Sequence, residues 1–462
     1  MRKLVLLALL LPVLQHCVHA QTLAGGGHHT HFICTDSTAW SCGSNSVGQL
    51  GIGLSYDWNA PFAVDLEDPV VGVDASNFHT LFLMADGTVR ATGSNFNGEL
   101  GDGTNLNHYS PLPVLGLTGV VDVAAGEGFS VFLKGDGTVW ACGNGGALGT
   151  GDNLPSNVPV QSLTPPNITA IAAGYYHTLY LCGDGTVWST GANTLGGELG
   201  TGSAVQQNFP TPVQVIIGTD VVAMEAGNCF SLFLKANGDV WACGQNGGVF
   251  GTGTTQTGNP TPIPIISTGD VRAISAGANH SLFLRNDSTV WSTGLNTSGQ
   301  LGDGTGQFSD TLVQVLIPAD VIRIASGSTH ALFVRADASI WGCGSDNSGE
   351  LGNGAPELSS PVPVLMIEPC DLSLEVAAGE QEQPVKVWPC PAQDIVHIRG
   401  GFDPGHVVHV RVIDATGRIV NVQDQTLRDG ELQLDLRAYT PGLYSIALQQ
   451  DKRTVWRNLI KE

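Results

Sequence analysis

A chain of 462 residues exceeds one ordinary hydrophobic core, so two domains are the starting expectation. With 42% hydrophobic and only 13% charged residues it falls outside the disordered class, and its 61 glycines suit a turn-dense β protein. Nineteen basic residues against 41 acidic ones give a net charge of −22, which repels phosphate backbones and anionic lipid headgroups and excludes nucleic acid as a natural partner.

The first twenty residues read as a secretory signal peptide. Arg2-Lys3 precede the apolar run LVLLALLLPVL, which is too short to span a bilayer, and Ala20 supplies a small residue before a cut at Gln21. No stop-transfer segment follows, so a membrane anchor is disfavoured and no span is expected in the mature chain.

From there a unit of about fifty residues returns seven times. Its hairpin-ending glycines are Gly43, Gly93, Gly143, Gly191, Gly244, Gly294 and Gly344. Within each unit a segment such as HTLFL (79–83) meets TVRATG (88–93) across Asp86-Gly87, a pair that accepts positive φ. Asp136-Gly137, Asp184-Gly185 and Asn237-Gly238 repeat that turn; Asp36-Ser37, Asp287-Ser288 and Asp337-Ala338 depart from it and are expected to be looser. SPLPVLGL (110–117) and VVDVAAG (120–126) add two more strands, and no segment has helical periodicity. Four-stranded units repeated radially predict a seven-bladed β-propeller over residues 21–366. A linker is expected at 367–384. Residues 385–462 change texture, with alternating strands at 396–400, 407–421, 432–436 and 442–449, and predict a small C-terminal β-sandwich. The fold class is therefore all-β throughout.

The unit AGxxHTLFLxxDGTVWxxGxNxxGELGxGT resembles the repeat of the regulator of chromosome condensation family, which implies seven blades. Eukaryotic members of that family include a nucleotide exchange factor on chromatin. Residues 21–370 contain only Arg90, Lys134, Lys235, Arg272, Arg285, Arg323 and Arg335 as basic residues, so nothing there could grip DNA. A secreted propeller that inhibits a β-lactamase is similar in architecture and implies binding through loops. At the other end, VKVWPCPAQDIVHI (385–398), VRVIDATGRIV (410–420), PGLYSIAL (441–448) and the terminal RNLIKE resemble a type A C-terminal sorting domain of the bacterial type IX secretion system. That resemblance implies contact with the sorting machinery, export, and release or attachment at the outer cell surface. Cys390 stands where that family usually has Asn.

Repetition also weighs against catalysis. His29, His79, His177, His280 and His330 share one slot with Phe129 and Phe230, which marks the slot as packing. Cys42, Cys142, Cys243 and Cys343 alternate with Thr92, Thr190 and Thr293, lack metal-ligand spacing and read as small buried residues, as do Cys34, Cys182 and Cys229. The tryptophan slot, Trp40 to Trp341 with Arg90 as its exception, reads as core between blades. Glu99, Glu198 and Glu350 share a slot with Gln49 and Gln300, so no singular carboxylate pair for a hydrolase or lyase is evident. The NxxGxLGxG segments lack the Lys-Ser/Thr and helix of a phosphate loop, the Asp-Gly turns lack a calcium loop's twelfth-position glutamate, and His28, His29 and His31 lack a fourth metal ligand. No enzyme, metal or cofactor is expected. Cys370 and Cys390 flank the linker and are candidates for a disulfide in an oxidising compartment.

What varies from blade to blade should carry specificity. The loop before the histidine slot supplies Phe78, Glu127, Tyr175, Tyr176, Asn228 and Asn279 as candidate binding residues, the alternative being that they plug the channel mouth. Tyr56, Trp58, Phe96, Phe209 and Phe308 form a second candidate surface. The expected function is non-enzymatic binding of an extracellular protein or glycan by a monomer; the alternative is a polysaccharide hydrolase or lyase using channel carboxylates.

Overall fold

The computed structural model describes residues 23–367 apart from 194–195, 256–257 and 355–358, together with 386–388, 395–399, 407–414, 419–426, 431–440, 442–450 and 453–461. Seven four-stranded antiparallel sheets follow one another, and in each the strands pair in chain order. We call these strands a to d from the channel outward. In blade 2 they are Val70–Ala75, His79–Met84, Val89–Gly93 and His108–Pro113. Blade 1 opens on a short strand a, Leu23–Gly25, and blade 7 closes on Ser360–Leu365. The expected seven-bladed propeller is the observed fold.

Strand b of each blade is apolar and buried along nearly its whole length. Leu81, Leu83 and Val89 of blade 2 pack with Val123 and Phe132 of blade 3 in one cluster, so each core lies between neighbouring blades. The N-x-x-G-x-L-G segment is a compact loop organised by its asparagine. Asn95 Oδ1 accepts Leu100 N–H at 2.9 Å, while Asn95 Nδ2 donates to Asp102 Oδ1 at 3.0 Å. Gly101 has φ +64, and a Cβ there would stand 2.9 Å from Val114 and 3.0 Å from Cys142 Sγ of the next blade, so this backbone is pressed against its neighbour.

The ring closes without exchanging a strand. Gly354 N–H of blade 7 donates to Asn59 O of blade 1 at 2.9 Å, just as Gly304 of blade 6 reaches Pro361 of blade 7. Blade 7 therefore meets blade 1 as any blade meets the next.

The hairpin turns of blades 1, 6 and 7 are not looser than the Asp-Gly ones. Ser37, Ser288 and Ala338 take left-handed φ of 64–66°, and Asp36 Oδ1 accepts Thr38 N–H and Oγ1–H as Asp86 does from Thr88. The aspartate's paired hydrogen bonds hold the geometry without glycine.

The C-terminal region forms two antiparallel sheets. One contains Lys386–Trp388, Ile395–Arg399 and Glu431–Asp435; the other has Ile419–Thr426, Val407–Asp414, Gly442–Gln450 and Arg453–Lys461 in spatial order. Val396, Ile398, Leu432 and Leu434 of the first share a core with Val408, Val410, Val412, Ile446 and Leu448 of the second. Alternating apolar positions thus face inward from both layers, as the sequence pattern requires. The stretch read as one strand, 407–421, is two strands paired with each other. The expected leader 1–20, the linker beyond Ile367, and Cys370 and Cys390 lie outside the described residues.

Candidate functional site: the channel and its loop face

Seven strands a surround a channel cavity of about 370 Å³. One wall position, five residues before the histidine or phenylalanine that opens strand b, holds Ala24, Ala124, Ala172, Ser275 and Ala325, and these small side chains keep the channel open. In blades 2 and 5 the same position holds Asp74 and Glu225. Asp122 of blade 3 joins them from two residues earlier.

Each of these carboxylates spans to the next blade. Asp74 Oδ2 accepts Ala125 N–H at 2.8 Å; Asp122 accepts Ile171 N–H and Glu225 accepts Ala276 N–H. Burial raises Asp74 to about 7 and both Asp122 and Glu225 to about 8, with mutual repulsion adding to the last two. Near neutral pH the cluster therefore holds protons. The group is not evident as a carboxylate pair in the sequence, because its members occupy two different slots and come together only when the ring closes. Among the described residues no three His, Cys, Asp or Glu side chains are grouped to hold a metal ion.

The channel mouth is built from the loops between strands a and b. Their two variable residues separate by direction. The first residues Asn77, Glu127, Tyr175, Ala278 and Ser328 line the channel. Tyr175 O–H lies 3.0 Å from both Asn77 Oδ1 and Ser328 Oγ, and Ser328 Oγ donates to Asn77 Oδ1 at 2.9 Å. Asn77 also hydrogen-bonds Glu127, whose carboxyl is raised above its ordinary range by burial. Tyr175 thus bridges blades 2, 4 and 7 across the mouth. Asn228 is half-buried and accepts from Cys229 Sγ at 3.5 Å.

In blades 2, 4 and 6 the second residue points outward, whereas in blade 5 it is the buried Cys229. Phe78 and Tyr176 are each 46% exposed, and Asn279 is exposed. The loops between strands c and d share this end of the ring, since Ser94 N–H donates to Phe78 O and Ala192 N–H to Tyr176 O, both at 2.8 Å. The two surfaces expected separately are therefore one face. Phe96 is 72% exposed on it, with Tyr56 and Phe308 also exposed; Phe209 is half-buried. Trp58 is a correction: it is only 6% exposed, packed edge-on against Phe62 at 5.2 Å, and belongs to the core of blade 1.

The repeated histidines tie blade to blade. His79 Nε2 lies 2.9 Å from Ser130 Oγ, and His177 Nε2 2.9 Å from Ser231 Oγ. Each hydroxyl also donates to a carbonyl of the preceding blade, Ser130 to Glu99 O at 2.7 Å and Ser231 to Glu198 O at 2.8 Å. With the hydroxyl proton used, the imidazole must donate, which fixes the Nε2–H tautomer. Phe129 and Phe230 fill the slot by packing on Gly126 and Gly227, where a Cβ would stand 2.1 Å from the ring. The cysteine slot is buried as expected, and Cys142 Sγ adds a weak bond to Glu99 O at 3.4 Å. Most tryptophans of the repeat are half-buried rather than core; Trp40 is the buried one.

Cys34 is a second correction, being disulfide-bonded and not merely packed. Its partner lies outside the described residues.

Comparison with known proteins agrees with this architecture. Residues 6–314 match the RCC1-like domain, and residues 386–462 match the secretion system C-terminal sorting domain. No curated protein matches the chain. Among solved structures, it is similar to yeast RCC1 (Prp20) bound to Kap60, with 19% identity over 80% of this chain and 92% of that one and a TM-score of 0.66. Human WBSCR16 is similar at 22% identity, covering 68% and 86%, with a TM-score of 0.60. Prp20p from Saccharomyces cerevisiae, described with its binding to Gsp1p and histones, reaches 23% identity over 66% and 80% with a TM-score of 0.57. Likeness at these identities establishes the fold. Among the described residues no helix is long and apolar enough to cross a membrane.

Proposed function

Starting from a chain that belongs to the RCC1-like family and ends in a type IX sorting domain, we propose a non-enzymatic propeller that binds an extracellular protein or glycan through its loop face. The sorting domain marks the protein for secretion to the cell surface or beyond it. The observation that carries the binding reading is the set of exposed aromatic side chains, Phe78, Tyr176 and Phe96, on the loop face of a rigid ring. Aromatic side chains, tyrosine among them, are enriched in the few residues that carry most of the energy where proteins meet partners. The seven basic residues of the propeller leave that face without the charge a nucleic acid would need.

The test is binding of the full chain to a glycan array and to proteins of the surrounding extracellular medium, with Phe78→Ala/Tyr176→Ala as the comparison. Loss of a saturable signal in the double variant supports the reading. A signal that the double variant retains unchanged places binding elsewhere.

The second reading is a polysaccharide hydrolase or lyase, and the three channel carboxylates favour it. Against it, each carboxylate already accepts a backbone N–H, and Tyr175 bridges the mouth. Turnover of a polysaccharide panel that disappears in Glu225→Gln would establish it.

A further inference from the structure

The end of the ring opposite the loop face carries a repeated pairing of a cation with an indole. In three blades, the last residue of strand b is a cation lying over the tryptophan of strand c. Lys134 Nζ is 6.0 Å from the Trp140 ring centre, Lys235 Nζ 4.7 Å from Trp241, and the Arg285 guanidinium carbon 4.4 Å from Trp291. Blade 4 has the same strands, His177–Cys182 and Val187–Ala192, but the cation's position holds Cys182 while Trp188 remains. A thiol carries no positive charge to set over the indole, and Cys182 is itself buried.

A surface groove opens at that place, lined by Trp188, Pro165, Pro166, Asn167, Asp184 and Gln214. The turn carboxylate that accompanies the cation elsewhere is retained. In blade 7, Asp337 pairs with Arg335 at 2.9 Å; in blade 4, Asp184 is held ionised by Thr186 N–H at 2.9 Å and Thr186 Oγ1–H at 2.7 Å. Asn167 replaces a further acid. Its carbonyl accepts Gly183 N–H as those of Asp220 and Asp270 accept from Ala236 and Asn286, and those two acids pair with Lys235 and Arg285. One carboxylate, one side-chain amide and one indole therefore line the same groove.

We propose that this groove binds the cationic head of a lysine or arginine side chain presented by a partner protein, in the place where sister blades put their own. An aromatic face attracts a cation most strongly where water is partly excluded. The single carboxylate matches one positive charge, and the chain's net charge of −22 draws basic partners toward it.

The experiment follows tryptophan indole N–H resonances of the full chain by NMR, with Trp188 identified as the signal missing in Trp188→Phe. Nα-acetyl-arginine amide is the probe, methyl glucoside the neutral comparator. The Trp188 resonance is expected to shift saturably with the arginine derivative only. Cys182→Lys should weaken the effect at least tenfold by filling the groove from within, as Lys235 does in blade 5. Leu106→Lys, which adds the same charge on the loop face, should leave it intact. No shift, a shift with methyl glucoside instead, persistence in Cys182→Lys, or equal loss in both lysine variants overturns the proposal.

Discussion

Thr30 and His330 are 300 residues apart in the chain and meet across the ring closure, His330 Nε2 lying 3.1 Å from Thr30 Oγ1. The threonine hydroxyl donates to Glu350 O at 2.7 Å, so the imidazole N–H is the donor in the first bond. All these groups are buried. Thr30→Val keeps the shape, strands the His330 N–H, and leaves Glu350 O without this donor, which is expected to cost about 1–3 kcal/mol. Urea unfolding should show a lower midpoint in Thr30→Val and recovery in Thr30→Ser. An unchanged midpoint in the valine variant would mean the closure rests on packing alone.

Among the blades whose slot holds histidine, the same relationship fails once, between blades 6 and 7. Position 331 is alanine, and both ring nitrogens of His280 lack a partner. Ala331→Ser places a hydroxyl where Thr30, Ser130 and Ser231 have theirs. It should stabilise the protein by roughly 0.5–1.5 kcal/mol, the net worth of an internal hydrogen bond. Thermal melting decides it, with a lower melting temperature counting against this account of the histidine slot.

The fold was legible because each strand and turn is written seven times. The interactions between blades were much less so. The histidine slot could be aligned, yet its hydrogen-bond partner lies one blade away, next to that blade's own histidine slot, so an alignment of repeats hides the pairing in its own period. Asp74, Asp122 and Glu225 look incidental beside alanines and a serine, and only the closed ring makes them one cluster. Direction was also hidden: Tyr175 and Tyr176 are adjacent in sequence, but one bridges the mouth while the other faces solvent. Trp58 resembled a loop aromatic until strand d of blade 1 was seen to begin with it.

Stability should peak near neutral pH, from two opposed sets of groups. Burial lowers His79, His177 and His330 to about 4 and His31 and His280 to about 3. The unfolded chain protonates them first, so their contribution is complete above about pH 6.5 and is lost as pH falls toward 4. The channel carboxylates act with the other sign. Asp74 is raised to about 7 and Asp122 and Glu225 to about 8, so the stability their protons contribute is complete below the ordinary carboxylate range and lost as pH rises through 7 to 8. Melting temperature measured against pH should fall on both sides, and Asp122→Asn should flatten only the alkaline side. An alkaline slope identical in wild type and variant would show that the channel carboxylates ionise freely.

Cys34 offers a test that joins the two ends of the propeller. Cys42, Cys142, Cys182, Cys229, Cys243 and Cys343 are buried thiols, whereas Cys34 is disulfide-bonded, which leaves Cys17, Cys370 and Cys390 as its potential partners. Cys17 belongs to the expected leader. Met366 packs in the same cluster as Cys34, and Cys370 follows it by four residues, a reach of up to about 14 Å for an extended chain. The expected bond is therefore Cys34 to Cys370, which would exclude the Cys370–Cys390 pair that the sequence suggested. Such a bond clamps the end of blade 7 to blade 1, and closing so long a loop is worth roughly 2–5 kcal/mol. Peptide mapping of the secreted protein without reductant should recover Cys34 linked to Cys370. Cys34→Ser and Cys370→Ser should lower the melting temperature equally, and the double variant no further. A recovered peptide joining Cys370 to Cys390, or additive effects of the two substitutions, would rule this clamp out.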